Sequence, residues 1–200
     1  MSLLLGIFGG AFDPPHIGHL ILASEAYTQL VLDRVLWVLT PDPPHKWARS
    51  ITPLELRLAM VQLAIGEDPI FDLSYVDIDR PGPHYAVDTV EIISEQSPGA
   101  ELVYLIGGDL LQGLPTWFGS TNLVSMCHFL GVTCRPGYSI ELTSLEKTIP
   151  GVTGKIHFVD VPSMNISSHA IRARIAEGRP FRYLLHPEVY EYIVDHHLYR

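Results

Sequence analysis

His16 and His19 stand three residues apart in GGAFDPPHIGH (residues 9–19), with Gly18 beside the second and no acidic cluster around them. If a helix begins here, positions i and i+3 share a face. Two imidazoles then flank the free N–H groups and positive dipole end of a first helical turn. Such a junction receives an anion, and phosphate is the natural one. The dipole contributes only about 0.3–1 kcal/mol at exposed sites, so a polyphosphate needs further cations. Lys46, in PPHK (43–46), is a candidate for one of them. Gly9 and Gly10 close the preceding apolar run, where missing side chains let backbone approach a ligand. Pro14 and Pro15 hold the chain extended and delay the helix. A metal reading would take His16, His19 and Asp13 as ligands, but no further strong ligand lies nearby in the sequence.

NISSHAIRARI (165–175) repeats the logic. Ser167 or Ser168 can cap a helix by accepting its free N–H groups. Ser168 and Arg172 are four apart and share a face. The result is a second helix N-terminus with a hydroxyl, amide donors and a guanidinium. Both motifs serve one ligand only if the two amino ends converge on a single phosphate chain.

The elements that must position these motifs alternate along the chain. Strand-like apolar runs lie at 3–8, 34–40, 71–78, 101–107, 128–134 and 155–161. Helical segments are expected at 18–31, 53–65, 85–96, 109–117, 168–177 and 185–198. The first, fourth and fifth runs are almost continuously apolar, as parallel strands covered on both faces are. This alternation predicts an α/β fold, a Rossmann-like open parallel sheet with right-handed crossovers and helices on both faces. Ligands bind such sheets at the carboxyl ends of the strands, so the loops at 41–44 and 80–83 should lie on the ligand side. One domain is expected over 1–200, its C-terminal helical part (about 165–200) carrying the second motif.

Composition narrows the function classes. Of the 200 residues 47% are apolar and 18% charged, which suits a globular protein and not a disordered one. The net charge of −9 comes without a basic block, which disfavours nucleic acid as a partner. No apolar run reaches the roughly 18 residues needed to cross a bilayer, so no membrane partner is expected. MSLLLGIF lacks a basic flank and reads as a buried strand, so a cytoplasmic location is expected. Cys127 and Cys134 share one apolar run and fit reduced core residues better than a disulfide or a zinc site. Homo-oligomerisation is left open.

His16-Ile17-Gly18-His19 resembles the (H/T)-x-G-H signature of the nucleotidyltransferase superfamily. The whole chain, with its motifs in order, resembles the nicotinate-mononucleotide adenylyltransferases of bacterial NAD synthesis. That resemblance implies ATP and nicotinate mononucleotide as substrates, deamido-NAD and pyrophosphate as products, and Mg²⁺ held through the phosphates. It implies that His16, His19, Lys46 and Arg172 are the catalytic groups. Gly9, Gly10, Phe12, Gly107, Asp109, Arg135, Ser167 and Ser168 would bind ATP. Within LIGGDLLQGLPTW, Asp109 is placed to accept from ribose hydroxyls. RPGPHYAVDTV (80–90) resembles the segment that opens a helix beside the pyridine ring, with Tyr85 and Ala86 as acceptor contacts. Trp117 resembles the tryptophan that stacks on that ring, with Phe118 beside it.

Three positions depart from the family pattern: His84 stands for the usual Ser, Ala86 for Thr, and His169 for Thr. Backbone donors survive these changes, but a hydroxyl at 86 does not. Nicotinamide mononucleotide or another phosphorylated acceptor is therefore the alternative substrate. A nucleotide-sensing module without turnover is a more distant one. A dinucleotide dehydrogenase would want G-x-G-x-x-G in the first turn, and it is absent there.

Overall fold

LLGIFGG makes the first strand, β1 (Leu4–Gly10), buried along Leu5–Phe8. It is followed by α1 (Ile17–Gln29), β2 (Arg34–Leu39), α2 (Leu54–Ile65), β3 (Phe71–Ser74), α3 (Ala86–Gln96) and β4 (Glu101–Gly107). Then come α4 (Gly108–Leu111), α5 (Ser120–Met126), β5 (Phe129–Cys134), α6 (Leu142–Thr148), β6 (Ile156–Asp160), α7 (Ser168–Ala176) and α8 (Pro187–Asp195). This computed structural model describes residues 2–42, 51–134, 141–162 and 164–200.

The six strands form one parallel sheet in the order β3-β2-β1-β4-β5-β6. The order reverses between β1 and β4, the switch point where open α/β sheets take their ligands. Ile7 pairs with Tyr104, so three residues further on the two strands end side by side at Gly10 and Gly107.

Alternation along β1 sends Leu5 and Ile7 to one face and Phe8 to the other. The first face packs against Val87, Val90 and Ile93 of α3 and Leu123 of α5. The second packs against Ala23 and Ala26 of α1 and Val61 of α2. A third apolar cluster joins Met60 and Ala64 of α2 to Ile171 and Ile175 of α7 and to Val189 and Ile193 of α8. Each such side chain, fully buried, contributes roughly 1.5–3 kcal/mol. This cluster fixes where the amino end of α7 lies. Among the described residues no helix is long and apolar enough to cross a membrane.

Several elements differ from the sequence expectations. β3 ends at Ser74 and not at 78, because the chain turns there and buries Asp77 as an anchor for the next loop. The helix expected at 109–117 is one turn of α4 and a separate 3₁₀ turn, Leu114–Thr116, broken by Gly113 and Pro115. The helix expected at 185–198 is the shorter α8, Pro187–Asp195, preceded by a separate 3₁₀ turn, Arg182–Leu184. Neither α5 nor α6 was anticipated; each has seven residues. α5 is held at its carboxyl end by Lys155, whose Nζ donates to the carbonyls of Val124 (2.8 Å), Ser125 (3.1 Å) and Cys127 (2.7 Å).

Candidate active site

His16 is the N-cap of α1 and takes the extended conformation usual at that position. Its ring stacks on that of His19, with centroids 3.6 Å apart and planes 19° from parallel. The His16 backbone N–H donates to His19 Nδ1 at 3.1 Å. A neutral His19 with Nδ1 as acceptor carries its proton on Nε2, so that nitrogen is a donor. Phe12 stands behind the pair. Its ring is buried and meets His19 edge-on at 5.2 Å and Trp37 at 4.9 Å. Phe12 has φ 44, a left-handed backbone uncommon outside glycine. Gly10 makes room for that ring, since a Cβ there would lie 3.0 Å from its Cζ.

The amino end of α7 meets this same loop. Ser167 caps the helix by accepting from the Ala170 N–H at 3.2 Å. Ser168 Oγ donates to the carbonyl of Pro14 at 2.8 Å, across 154 residues of sequence. Arg172 Nη1 donates to the carbonyl of Asp13 at 2.6 Å. The Arg172 side chain remains 31% exposed. The two helix N-termini therefore converge, meeting the condition for both motifs to serve one ligand. His169 is exposed.

Arg57 is a residue the sequence reading missed. It is 1% exposed and donates to four backbone carbonyls: Thr52 (2.8 Å), Ala11 (3.0 Å), Thr40 (2.9 Å) and Pro41 (2.7 Å). One guanidinium thus ties the loop after β1 to the loop after β2. Burial lowers its pKa from the usual value, and the charges of Asp13 and Asp42 oppose that shift. A signal was present, because Arg57 occupies the buried stripe of α2 with Met60, Val61 and Ala64. An arginine on an apolar stripe needs several acceptors. Lys46 and Arg135 lie outside the described residues.

Gly107 and Gly108 follow β4 at the switch point. Asp109 is exposed, and its Oδ1 would come within 2.6 Å of a Cβ at Gly107. The carboxylate therefore folds back over backbone that only glycine leaves open. On the other side of β4, Tyr85 caps α3 and stacks on Phe118, with centroids 4.5 Å apart. Phe118 is 63% exposed. Trp117 is half-buried and meets Tyr104 edge-on at 6.3 Å. Ala86 opens α3, so the free N–H groups of this helix face the same aromatic corner.

The loop before α3 is braced by Asp77. It accepts from Thr89 Oγ (2.7 Å) and from Arg80 Nη2 (2.9 Å), and Arg80 also reaches the carbonyl of Tyr85 (3.3 Å). His84 is buried, with Nε2 3.3 Å from the Arg80 carbonyl. Its ring belongs to the bracing of the loop, which explains how an imidazole takes the place of a serine there.

The metal reading of His16, His19 and Asp13 finds no support. The Asp13 carboxylate is 5% exposed and is taken by Tyr199 and Thr52.

Comparison with known proteins identifies the family. Residues 7–174 match the sequence model of the family described as cytidylyltransferase-like. A probable nicotinate-nucleotide adenylyltransferase of Thermomicrobium roseum is 46% identical over 98% of this chain and 91% of its own. One of Streptomyces coelicolor is 43% identical over 96% and 98%. Among solved structures, a Plasmodium falciparum nicotinic acid mononucleotide adenylyltransferase complexed with NaAD superposes with a TM-score of 0.81. That match covers 99% of this chain and 98% of the other at 19% identity. The same enzyme complexed with APC gives 0.78 at 20% identity. The chain belongs to the cytidylyltransferase-like family and, within it, to the nicotinate-nucleotide adenylyltransferases.

Proposed function

We propose that this chain transfers the adenylyl group of ATP to nicotinate mononucleotide, forming deamido-NAD and pyrophosphate. The observation that carries the reading is the junction of two helix N-termini, where Ser168 and Arg172 bond to the Asp13–Pro14 backbone beside the stacked histidines. One polyphosphate can then meet donors from both ends of the chain.

The reaction is an in-line displacement. A phosphate oxygen of the mononucleotide forms a bond to the α-phosphorus of ATP, and the bond to the β-phosphate bridging oxygen breaks. The attacking phosphate is ionised at neutral pH, so a strong general base is unnecessary. Catalysis then rests on positioning and on electrostatic stabilisation of the displaced phosphates. His19 donates from Nε2 near the α-phosphate, and His16 assists it. Arg172 and Lys46 offset the charge that grows on pyrophosphate. Ser168, Ser167 and the amides of α7 hold the outer phosphates, and Gly9 and Gly10 admit the nucleotide to the end of β1. Asp109 accepts from ribose hydroxyls, with Gly107 and Arg135 beside the nucleotide.

Magnesium suits a site of this donor set only as a phosphate-borne ion. The carboxylate on the histidine loop, Asp13, is already engaged by Tyr199 and Thr52. Bound on the triphosphate, Mg²⁺ neutralises part of its charge.

The pyridine ring of the acceptor lies against Trp117, within the corner formed by Phe118 and Tyr85. The N-terminus of α3 at Ala86 meets its carboxylate, which the helix dipole favours over a neutral amide. The test offers ATP and Mg²⁺ with nicotinate mononucleotide, nicotinamide mononucleotide and phosphopantetheine, and identifies products by mass. Deamido-NAD as the main product is expected. NAD as the main product would transfer the reading to the amide acceptor, and absence of any dinucleotide would end it.

A further inference from the structure

Asp13 puts a carboxylate into the loop that both helix N-termini touch, where an anion should hinder the binding of phosphate. Arg172 Nη1 and Asp13 Oδ2 form an ion pair at 3.7 Å, a separation too long for a hydrogen bond, although the same nitrogen donates to the Asp13 carbonyl at 2.6 Å. The ion pair stops short of direct contact because the carboxylate has other donors. The Tyr199 hydroxyl donates to Asp13 Oδ1 at 2.8 Å, from 186 residues away in sequence. On the other oxygen, the Thr52 N–H approaches Oδ2 at 3.4 Å. Tyr199 follows α8 with φ 64, a left-handed conformation rarely taken by aromatic residues. Its ring packs against the cluster of Met60, Ile171 and Ile193, and the hydroxyl lies 3.9 Å from Met60 Sδ. Burial, and after it the Asp13 charge, raise its pKa, so the phenol keeps the proton it donates.

We propose that Tyr199 is a positioning residue for adenylyl transfer: its hydroxyl keeps the Asp13–Arg172 ion pair from closing to a direct hydrogen bond, leaving the other donors of the guanidinium to the triphosphate. This inference rests on the reading of Arg172 as a phosphate ligand. Without the hydroxyl, a buried Asp13 oxygen loses its donor and turns to the nearest one, Arg172. ATP must then compete with an internal carboxylate for the same cation.

Tyr199→Phe removes one oxygen and keeps the ring, so a double-mutant cycle with Arg172→Ala tests the inference. Steady-state kinetics over ATP and the thermal midpoint are measured for all four chains. Tyr199→Phe is expected to raise KM for ATP about tenfold, the scale of a hydrogen bond to a charged group. Its kcat should change less than about threefold, because binding is what is lost. In the Arg172→Ala background the same change should have no further effect on KM. An unchanged KM in Tyr199→Phe overturns the inference, and so does an equal factor in both backgrounds. A Tyr199→Phe chain that does not fold also overturns it, since the hydroxyl then serves the fold. If the unmutated chain makes no dinucleotide, the adenylyl-transfer reading has failed by itself. The cycle is then read from binding of a non-hydrolysable ATP analogue, with the same expected coupling.

Discussion

The imidazoles of His16 and His19 lie face to face, 3.6 Å between centroids, and the His16 N–H fixes the acceptor nitrogen of His19. One ring thus orients the other. A donor oriented before substrate arrives contributes more to a transition state than one recruited from solvent.

Replacing that donor should show in the chemical step. His19→Ala is expected to lower kcat by about 10²–10³ with a near-native unfolding midpoint. Single-turnover formation of dinucleotide measures it directly. A folded variant with near-normal turnover would remove His19 from the mechanism.

Arg57 makes a different kind of contribution. Arg57→Met would leave the carbonyls of Ala11, Thr40, Pro41 and Thr52 without their donor in a buried setting. We expect a loss of about 2–5 kcal/mol in urea unfolding, given the cost of orphaned buried groups. KM for ATP should rise as well, because both loops at the nucleotide end of the sheet are released. Stability unchanged within error would contradict the role of this staple.

Trp117→Ala should weaken the mononucleotide more than ATP. A lost ring stack is worth about 0.5–1.5 kcal/mol, or roughly 2- to 13-fold in KM for the acceptor. Trp117→Phe should recover part of it. Equal effects on both substrates would move the pyridine ring elsewhere.

Alkaline pH should expose the burial of Cys127. Its thiol is pushed up to about 12, first by burial, with Lys155 opposing the shift. In the unfolded chain the same thiol ionises near pH 8.5–9. The folded state therefore holds the proton longer, and stability falls as pH rises through that window. The slope from this group is about 1.4 kcal/mol per pH unit between roughly pH 9 and 12. Urea unfolding at pH 7, 9 and 10 measures it, and Cys127→Ala should flatten the decline. An identical slope in the variant would assign it to other groups, such as Tyr104, whose pKa burial also raises.

Much of the fold is legible in the sequence because covered parallel strands are continuous apolar runs. β1, β4 and β5 read directly for that reason. The meeting of the two helix N-termini is legible too, since His16–His19 and Ser168–Arg172 each obey helical spacing next to a cap. What the sequence hides is set by tertiary packing. α5 and α6 are too short to display a period, and they exist because Leu123 and Leu145 are buried against the sheet. Asp77 falls in an apolar run and so extends the apparent strand, yet its job is to anchor Arg80 and Thr89. Tyr199 carries no local signal at all, because its partner Asp13 belongs to the opposite end of the chain.

That distance has a consequence for synthesis. A ribosome releases the histidine loop first and the groups that complete it last. Until α7 and α8 emerge and dock, the nascent polypeptide has the histidine loop without Ser168 and Arg172 against it. A chain truncated before residue 168 keeps the sequence of all six strands but lacks the second jaw of this junction.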